Sequence, residues 1–405
     1  MTDASAPSSR PDPTACAGPC NALEDNVKSP VSNPRDAMVV EHNSAYSAKQ
    51  AIRSASYSAD KIVRSAVKVA KGHGTANDFV IIEDPDGQIQ LDAQAVRTLT
   101  DRRQGIGGDG LIRIVRTRAA GLGKLPDDVP TWFMDYRNAD GSIAEMCGNG
   151  VRVFAVQLLR MAARENLVPE SGFGFASRDK PTLSAFGDRF AIWTRAGRRD
   201  VEILARPENP LDGEGWQVRV GMGRYDILGR SHVYLTRRDG QREEVSATEA
   251  SMGNPHTVAV MPTPEAVESV DLTRAPQIDP VPTDGTNLEL VALIGPRRAR
   301  IRILERGVGE TWSCGTGACA VAAVLTQQAD AIPGSDTSSG DVSGRPSGAC
   351  EPQAENRQDG TAWKIEVPGG VLTVGIDTTT REVTLAGPAV IVGEVELTAA
   401  HALGR

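Results

Sequence analysis

One short device occurs twice in this chain of 405 residues, and it limits what the chain can fold into. Met146-Cys147-Gly148-Asn149-Gly150 runs into the apolar stretch Val151 to Leu159, and Ser313-Cys314-Gly315-Thr316-Gly317 runs into the alanine-rich stretch Ala318 to Leu325. Each stretch has the composition of a helix packed closely against its neighbours. Each cysteine therefore stands at a helix start, where unpaired backbone N–H groups and the helix dipole stabilise an anion. The expectation is a pair of acidic thiols, because cysteines at helix N-termini fall from ~8.5 to roughly 3.5–7.5. Glu145 and Glu310 precede the two cysteines within a few positions. Two copies of one device predict two related half-domains facing each other.

The length calls for two domains plus accessory segments. Residues 1–60, rich in Ser, Ala, Pro and Asp, are expected to form a disordered tail with a loose helix near Ser47–Arg53. Half-domains are expected at 63–207 and 215–385, parted by a Pro-, Asp- and Gly-rich boundary, with 386–397 a strand returning to the first. Within the second, 326–361 turns to Ser, Gly, Asp, Pro and Gln and is expected to be a flexible insertion. Phe79–Ile82, Leu111–Val115, Trp132–Tyr136, Thr257–Met261, Asn287–Val291 and Arg298–Leu304 read as strands, Asp92–Asp101 as a short helix, and Gly72–Asp78 as a loop. The Gly-rich run Gly105–Gly110 leads into a strand, whereas a dinucleotide fingerprint leaves a strand and opens a helix.

Aromatic residues make up 4% of the chain, too few for an aromatic-lined groove, and the net charge of −8 comes with no basic run, so no nucleic-acid partner is expected. No stretch approaches the ~18 apolar residues of a membrane span, so no membrane partner is expected either. The six cysteines are irregularly spaced, as in a reduced, cytoplasmic protein. Cys16 and Cys20 lack the second pair or histidine of a zinc site, so no metal is expected.

Two helix-terminal thiols facing one cavity permit a definite chemistry. One, as thiolate, takes a proton from carbon, and the other, as thiol, returns a proton to the opposite face. That inverts a stereocentre with no redox step and no obvious need for a metal or pyridoxal phosphate. An amino acid α-carbon is a very weak acid, so the carbanion needs electrostatic help. The N–H groups at Gly148-Asn149 and Gly315-Thr316 suit the α-carboxylate where that charge develops. Glu305 and His256 are placed to adjust the thiols through hydrogen bonds, and Arg306 offers a fork for a second carboxylate.

Several motifs together carry a family resemblance: Asn77-Asp-Phe-Val80, Asp101-Arg-Arg103 with Gly105-Ile-Gly, Asn138-Ala-Asp-Gly-Ser142, Cys147-Gly-Asn-Gly, Gly253-Asn-Pro-His256, Glu305-Arg-Gly-x-Gly-Glu-Thr311 and Cys314-Gly-Thr-Gly. From Val63 to Leu397, apart from the late insertion, the chain resembles diaminopimelate epimerase. The resemblance implies an α+β fold of two pseudo-symmetric domains, each a curved, mostly antiparallel sheet around a central helix, with the site in the interdomain cleft. It implies a cofactor-independent homodimer that interconverts LL- and meso-diaminopimelate for lysine and peptidoglycan precursor synthesis. It makes Cys147 and Cys314 the acid and base. The substrate contacts it implies are Asn77, Asn138, Gly148, Asn149, Asn254, Asn287, Glu305, Arg306, Gly315 and Thr316. The chain departs from the family pattern at Gly110, where many members have Gln, at Ala76, where Gly is common, and at Leu304, where an aromatic is common.

Taken singly, either cysteine reads as a small buried residue; the duplicated context reverses that. Cys319 remains core. Three alternatives stand beside this reading: a proline or hydroxyproline racemase, a redox sensor that crosslinks Cys147 to Cys314, and a binding module without catalysis.

Overall fold

The computed structural model describes residues 67–167, 187–330 and 362–397. The expected tail with Cys16 and Cys20, the region 168–186, and 331–361 with Cys350 lie outside the described residues. The architecture is α+β, and Ile62–Arg405 forms one compact unit.

In its first half the chain forms β1 (Val67–Gly74), β2 (Asn77–Glu83), helix α1 (Ala93–Thr100), β3 (Gly110–Arg116), β4 (Trp132–Asn138), helix α2 (Gly148–Leu167), β5 (Arg189–Thr194), β6 (Gly197–Ala205) and β7 (Trp216–Arg224). The second half forms β8 (Asp226–Thr236), β9 (Arg242–Ser251), β10 (Pro255–Val260), helix α3 (Pro264–Glu268), β11 (Gln277–Asp279), β12 (Asn287–Gly295), β13 (Arg298–Glu305), β14 (Gly309–Thr311), helix α4 (Gly315–Asp330), β15 (Trp363–Val367), β16 (Gly370–Ile376) and β17 (Glu382–Leu397).

The pairings show the repeat. In the first half β1–β2 is antiparallel, β2–β3 parallel across α1, β3–β4 antiparallel, β4–β5 parallel across α2, then β5–β6–β7 antiparallel. The second half runs β9–β10 antiparallel, β10–β12 parallel across α3, β12–β13 antiparallel, β13–β15 parallel across α4, then β15–β16–β17 antiparallel. Each half therefore curls its sheet around one helix. The ring of the first half closes through β17, whose residues 382–389 pair with β7 and 390–397 with β1. The expected break at 385/386 thus falls inside a single continuous strand.

Both central helices are enclosed by sheet and largely apolar, although α2 buries Arg152, Gln157 and Arg160 among its apolar residues. Residues 151–163 of α2 and 317–326 of α4 are buried throughout, and together with the inner faces of the strands they form one shared core. The helix α1 starts where Asp92 accepts a hydrogen bond from Ala95 N at 2.8 Å, an N-cap of the usual kind. Among the described residues no helix is long and apolar enough to cross a membrane.

Two expectations change, and one pair of strands is added. The segment Gly72–Asp78 is not a loop: β1 continues to Gly74 and β2 starts at Asn77, joined by Thr75 and Ala76, both at positive φ (51° and 65°). Such a two-residue turn matches the twist of a hairpin. The insertion does not begin at Thr326, because α4 runs to Asp330. The Thr326 hydroxyl donates to Ala322 O and accepts from Trp363 Nε1, which ties this last part of the helix to β15. The pair β8 and β9 was not foreseen from the sequence; only one face of β8 is buried, at Ser231, Val233 and Leu235.

Candidate active site

The two cysteine-bearing helices begin side by side. A Cβ placed on Gly315 would lie 3.5 Å from Asn149 N and 3.4 Å from Asn149 Oδ1. Leu385 of β17 lies under both starts, since a Cβ on Gly148 or on Gly315 would stand 2.9 or 3.0 Å from its Cδ2. The Asn149 side chain crosses the seam: Nδ2 donates to Ser313 Oγ at 3.1 Å, to Ser313 O at 3.4 Å and to Asn77 Oδ1 at 3.3 Å. Ser313 immediately precedes Cys314, so this one amide links the surroundings of both thiols. Thr75 adds a second tie, its hydroxyl 2.7 Å from Ser313 Oγ. All three thiols among the described residues, Cys147, Cys314 and Cys319, are free.

Cys147 is half-buried, and its Sγ donates to Asn77 Oδ1 at 3.6 Å. Asp109 accepts from Asn77 Nδ2 at 2.8 Å, which fixes the oxygen end of that amide toward the sulfur. A carbonyl oxygen favours the thiol over the thiolate. Cys314 is buried, with Thr316 Oγ1 at 3.4 Å. Asn254 Nδ2 donates to that same Thr316 hydroxyl at 3.4 Å, leaving its proton free to point at the sulfur.

The expectation of acidic thiols is overturned. Burial pushes Cys147 up to about 11; the N–H groups of Gly150 and Asn149 work against this, and the Glu305 charge works with it. Burial also raises Cys314 well above the usual thiol range, reinforced by Glu305 and Glu289 and opposed by Thr316 and the Gly317 N–H. The helix-start effect operates in both cases, but desolvation of the charged form outweighs it. Glu305 is itself raised by burial, against the hydrogen bond it accepts from Thr311 at 2.6 Å.

His256 does not reach a thiol. The ring is fully buried, with Nδ1 2.8 Å from Glu289 Oε1 and Nε2 3.1 Å from Asn254 Oδ1. Its influence on the sulfurs runs through Asn254 and Thr316, and the expected direct hydrogen bond is absent because both nitrogens are taken. Glu305 likewise acts on the thiols through its charge, its bonded partner being Thr311. Asn287 Oδ1 accepts from Arg306 N at 2.9 Å and its Nδ2 donates to Pro255 O at 3.3 Å, holding the end of β13 against β10. The Arg306 guanidinium is exposed and donates to Asp284 O at 2.5 Å. Asn138 stands apart, its amide donating to Ser142 Oγ at 3.0 Å within its own turn, which is joined to Asp109 by Ala139 N.

Sequence reasoning missed four residues here: Thr75, Asp109, Ser313 and Tyr136. Tyr136 lies edge-on to Phe79 and within the field of Cys147, Glu305, Asp109 and Cys314, and burial raises its phenol well above the usual range. Its ring explains Gly110, where a Cβ would stand 2.7 Å from Tyr136 Cε2 and 2.7 Å from Arg137 O. The departure at 110 was the available signal; the partner that makes it necessary was not visible. Among the described residues no group of three or more His, Cys, Asp or Glu is arranged to hold a metal ion.

The family model described as diaminopimelate epimerase matches residues 69–171 and 248–344, one stretch around each of the paired cysteines. A protein of Acidothermus cellulolyticus named diaminopimelate epimerase is 38% identical over 361 residues, covering 82% of this chain and 96% of the relative. Proteins of the same name from Streptomyces coelicolor and Thermobifida fusca are each 39% identical, covering 82% of this chain and 95% and 99% of their own lengths.

Proposed function

This chain belongs to the diaminopimelate epimerase family, an isomerase family, and from that premise we propose that it interconverts LL- and meso-diaminopimelate by proton transfer between Cys147, the substrate α-carbon and Cys314. The observation that carries the reading is the adjacency of the two Cys-Gly-x-Gly helix starts, stitched by Asn149 to Ser313.

The steps follow from that placement. One sulfur, as thiolate, removes the α-proton, and the C–H electron pair moves toward the α-carboxylate. The opposite thiol then delivers its proton to the other face, leaving a thiolate on the second sulfur and a thiol on the first. Nothing is oxidised, and the reverse reaction exchanges the roles. The backbone N–H groups of Gly148, Asn149, Gly315 and Thr316 receive the α-carboxylate, where preorganised donors lower the cost of the developing charge. The α-ammonium of the substrate brings a positive charge into the same dry space, which acts against the burial that holds both thiols protonated. Asn77 and Asn254 flank the reacting centre, while Asn138, Asn287, Glu305 and Arg306 recognise the remainder of the substrate. The same reading carries with it a homodimer, a cytoplasmic location and a place in lysine and peptidoglycan precursor synthesis.

The test is incubation with LL-diaminopimelate and, separately, L-proline in deuterated water. The expected result is α-deuterium in diaminopimelate with formation of the meso isomer. Exchange confined to proline, or absent from both substrates, overturns the proposal.

A further inference from the structure

Tyr136 carries a hydroxyl that the protein leaves uncommitted. Its ring is held edge-on to Phe79, with centroids 5.9 Å apart and planes at 78°. Its backbone oxygen accepts from Ala144 N at 3.3 Å and from Arg195 Nη1 at 3.1 Å. The hydroxyl itself has no hydrogen-bond partner among the described residues, yet it is not one of the polar atoms sealed from solvent. A Tyr O–H in a residue only 8% exposed normally finds a partner within the protein. This one is left open.

The sheet shows where it lies. Phe79 of β2, Gly110 of β3 and Asn138 of β4 form one cross-strand row. Tyr136 stands two residues before Asn138 and so shares its face of the sheet. The ring leans along the strand over Gly110, where a Cβ would stand 2.7 Å from Cε2 and 3.1 Å from the hydroxyl oxygen. This row borders the site. Asp109, next to Gly110, holds the Asn77 amide against Cys147 Sγ. A Cβ on Gly150 would lie 3.6 Å from Phe79 Cζ and 3.5 Å from Cys147 Cβ. The phenol thus reaches the end of the sheet that carries Asn77 and Asn138. Glycine within a strand weakens it, and here it clears the space the phenol occupies. Burial, together with the negative charges around it, keeps the phenol well above its usual range, so it serves as a neutral donor.

We propose that Tyr136 is a specificity-determining residue, its hydroxyl donating a hydrogen bond to the second carboxylate of a diamino diacid substrate beside Asn138. The inference deepens the diaminopimelate reading above and rests on it. In that reading the helix-start N–H groups receive the α-carboxylate, so the carboxylate at the far end is the anion that needs a donor from the sheet. The contact is remote from the reacting carbon and is the same before and during proton transfer.

The experiment compares the parent with Tyr136→Phe, both as full chains. The substitution keeps the ring and its packing on Phe79 and removes one oxygen. Rates of meso product are measured across a range of LL-diaminopimelate concentrations, and Tm is measured alongside. A contact equally strong in the bound substrate and the transition state changes KM and spares kcat. The expected result is a KM raised about tenfold, the usual cost of losing a hydrogen bond to a charged group, with kcat and Tm close to those of the parent. L-Lysine, which is diaminopimelate without its second carboxylate, is added as a competitor and is expected to act equally on both proteins. An unchanged KM overturns the proposal, whether Tm falls, as for a purely structural hydroxyl, or holds. A fall in kcat at constant KM places the hydroxyl at the reacting centre and overturns it too. So does a loss of lysine affinity as large as the rise in KM, which places the contact at the α-end. A parent inactive on diaminopimelate overturns the underlying reading and this inference with it, so the parent alone tells the two failures apart.

Discussion

From Cys147 the chain reads Cys-Gly-Asn-Gly-Val-Arg, and from Cys314 it reads Cys-Gly-Thr-Gly-Ala-Cys. The glycines recur because each helix start must approach the other closely, and a side chain at Gly148 or Gly315 would collide with Leu385. The polar residues between and after them differ. Asn149 reaches across to the other half, whereas Thr316 turns to its own cysteine. The charge of Arg152 favours the Cys147 thiolate, whereas that of Glu289 opposes the Cys314 thiolate. The two halves thus share a backbone and differ in charge. A repeated scaffold brings the two helix starts together, and the side chains around them differ between the halves.

The harshest way to break the comparison is to remove one sulfur at a time. If both halves work as acid and base, Cys147→Ser and Cys314→Ser should each lower epimerisation by roughly 10²- to 10⁴-fold, the usual worth of a positioned acid or base. Rates of meso product formed from the LL isomer would measure this. A near-normal rate in either variant would reduce that half to a scaffold.

Glu305 sharpens the comparison because its charge acts on both sulfurs, while that of Arg152 acts on one. Its carboxylate raises both thiols, so Glu305→Gln, which still accepts from Thr311, should lower both. At fixed pH between 7 and 9 a lower pKa means more thiolate. Alkylation of Cys147 and of Cys314 should therefore accelerate together, by several-fold. Acceleration at one sulfur alone would show that Glu305 belongs to one half.

What was legible beforehand follows the same division. The repeated Cys-Gly-x-Gly and the apolar runs after it revealed both central helices, because a helix enclosed by sheet is mostly apolar around its circumference, and that is a local property. The Asn-Pro-His motif at 254–256 was readable as part of the site, but the ring's partner Glu289 lies 33 residues on and is joined to it only by the β10–β12 pairing. The acidity of the thiols came out with the wrong sign for a related reason. A helix start is written in the sequence, whereas the dryness that outweighs it depends on elements from both halves. Strands β8 and β9 went unseen because Arg230, His232, Glu243 and Glu244 dominate the local composition while only alternate residues turn inward. Arg152 had a signal of its own, a lone charge among Val151, Val153, Phe154, Ala155 and Val156, all buried.

The smallest difference between the halves lies in the turns that precede β2 and β10. In the first, Thr75 and Ala76 both adopt positive φ; in the second, the positive φ of 92° falls on Gly253. Thr75 cannot be relieved of this conformation without loss, since its buried hydroxyl meets Ser313 and Arg152. Ala76 has no such duty: its N–H donates to His73 Nδ1, and a glycine would keep that bond. A non-glycine residue in the left-handed region costs about 1–2 kcal/mol, and the extra flexibility of an unfolded glycine takes back about 0.5–1 kcal/mol. Ala76→Gly should therefore stabilise the protein by about 0.5–1 kcal/mol, seen as a rise in Tm of about 1–2 °C. Gly253→Ala should do the opposite by about 0.5–1 kcal/mol, the same two contributions with their signs reversed, through the backbone alone, since nothing lies within 4 Å of the added Cβ. Thermal unfolding followed by circular dichroism measures both. A loss of stability in Ala76→Gly would mean that the alanine methyl makes a contact worth more than the strain it imposes, and that the first turn has been adapted where the second kept the simpler solution.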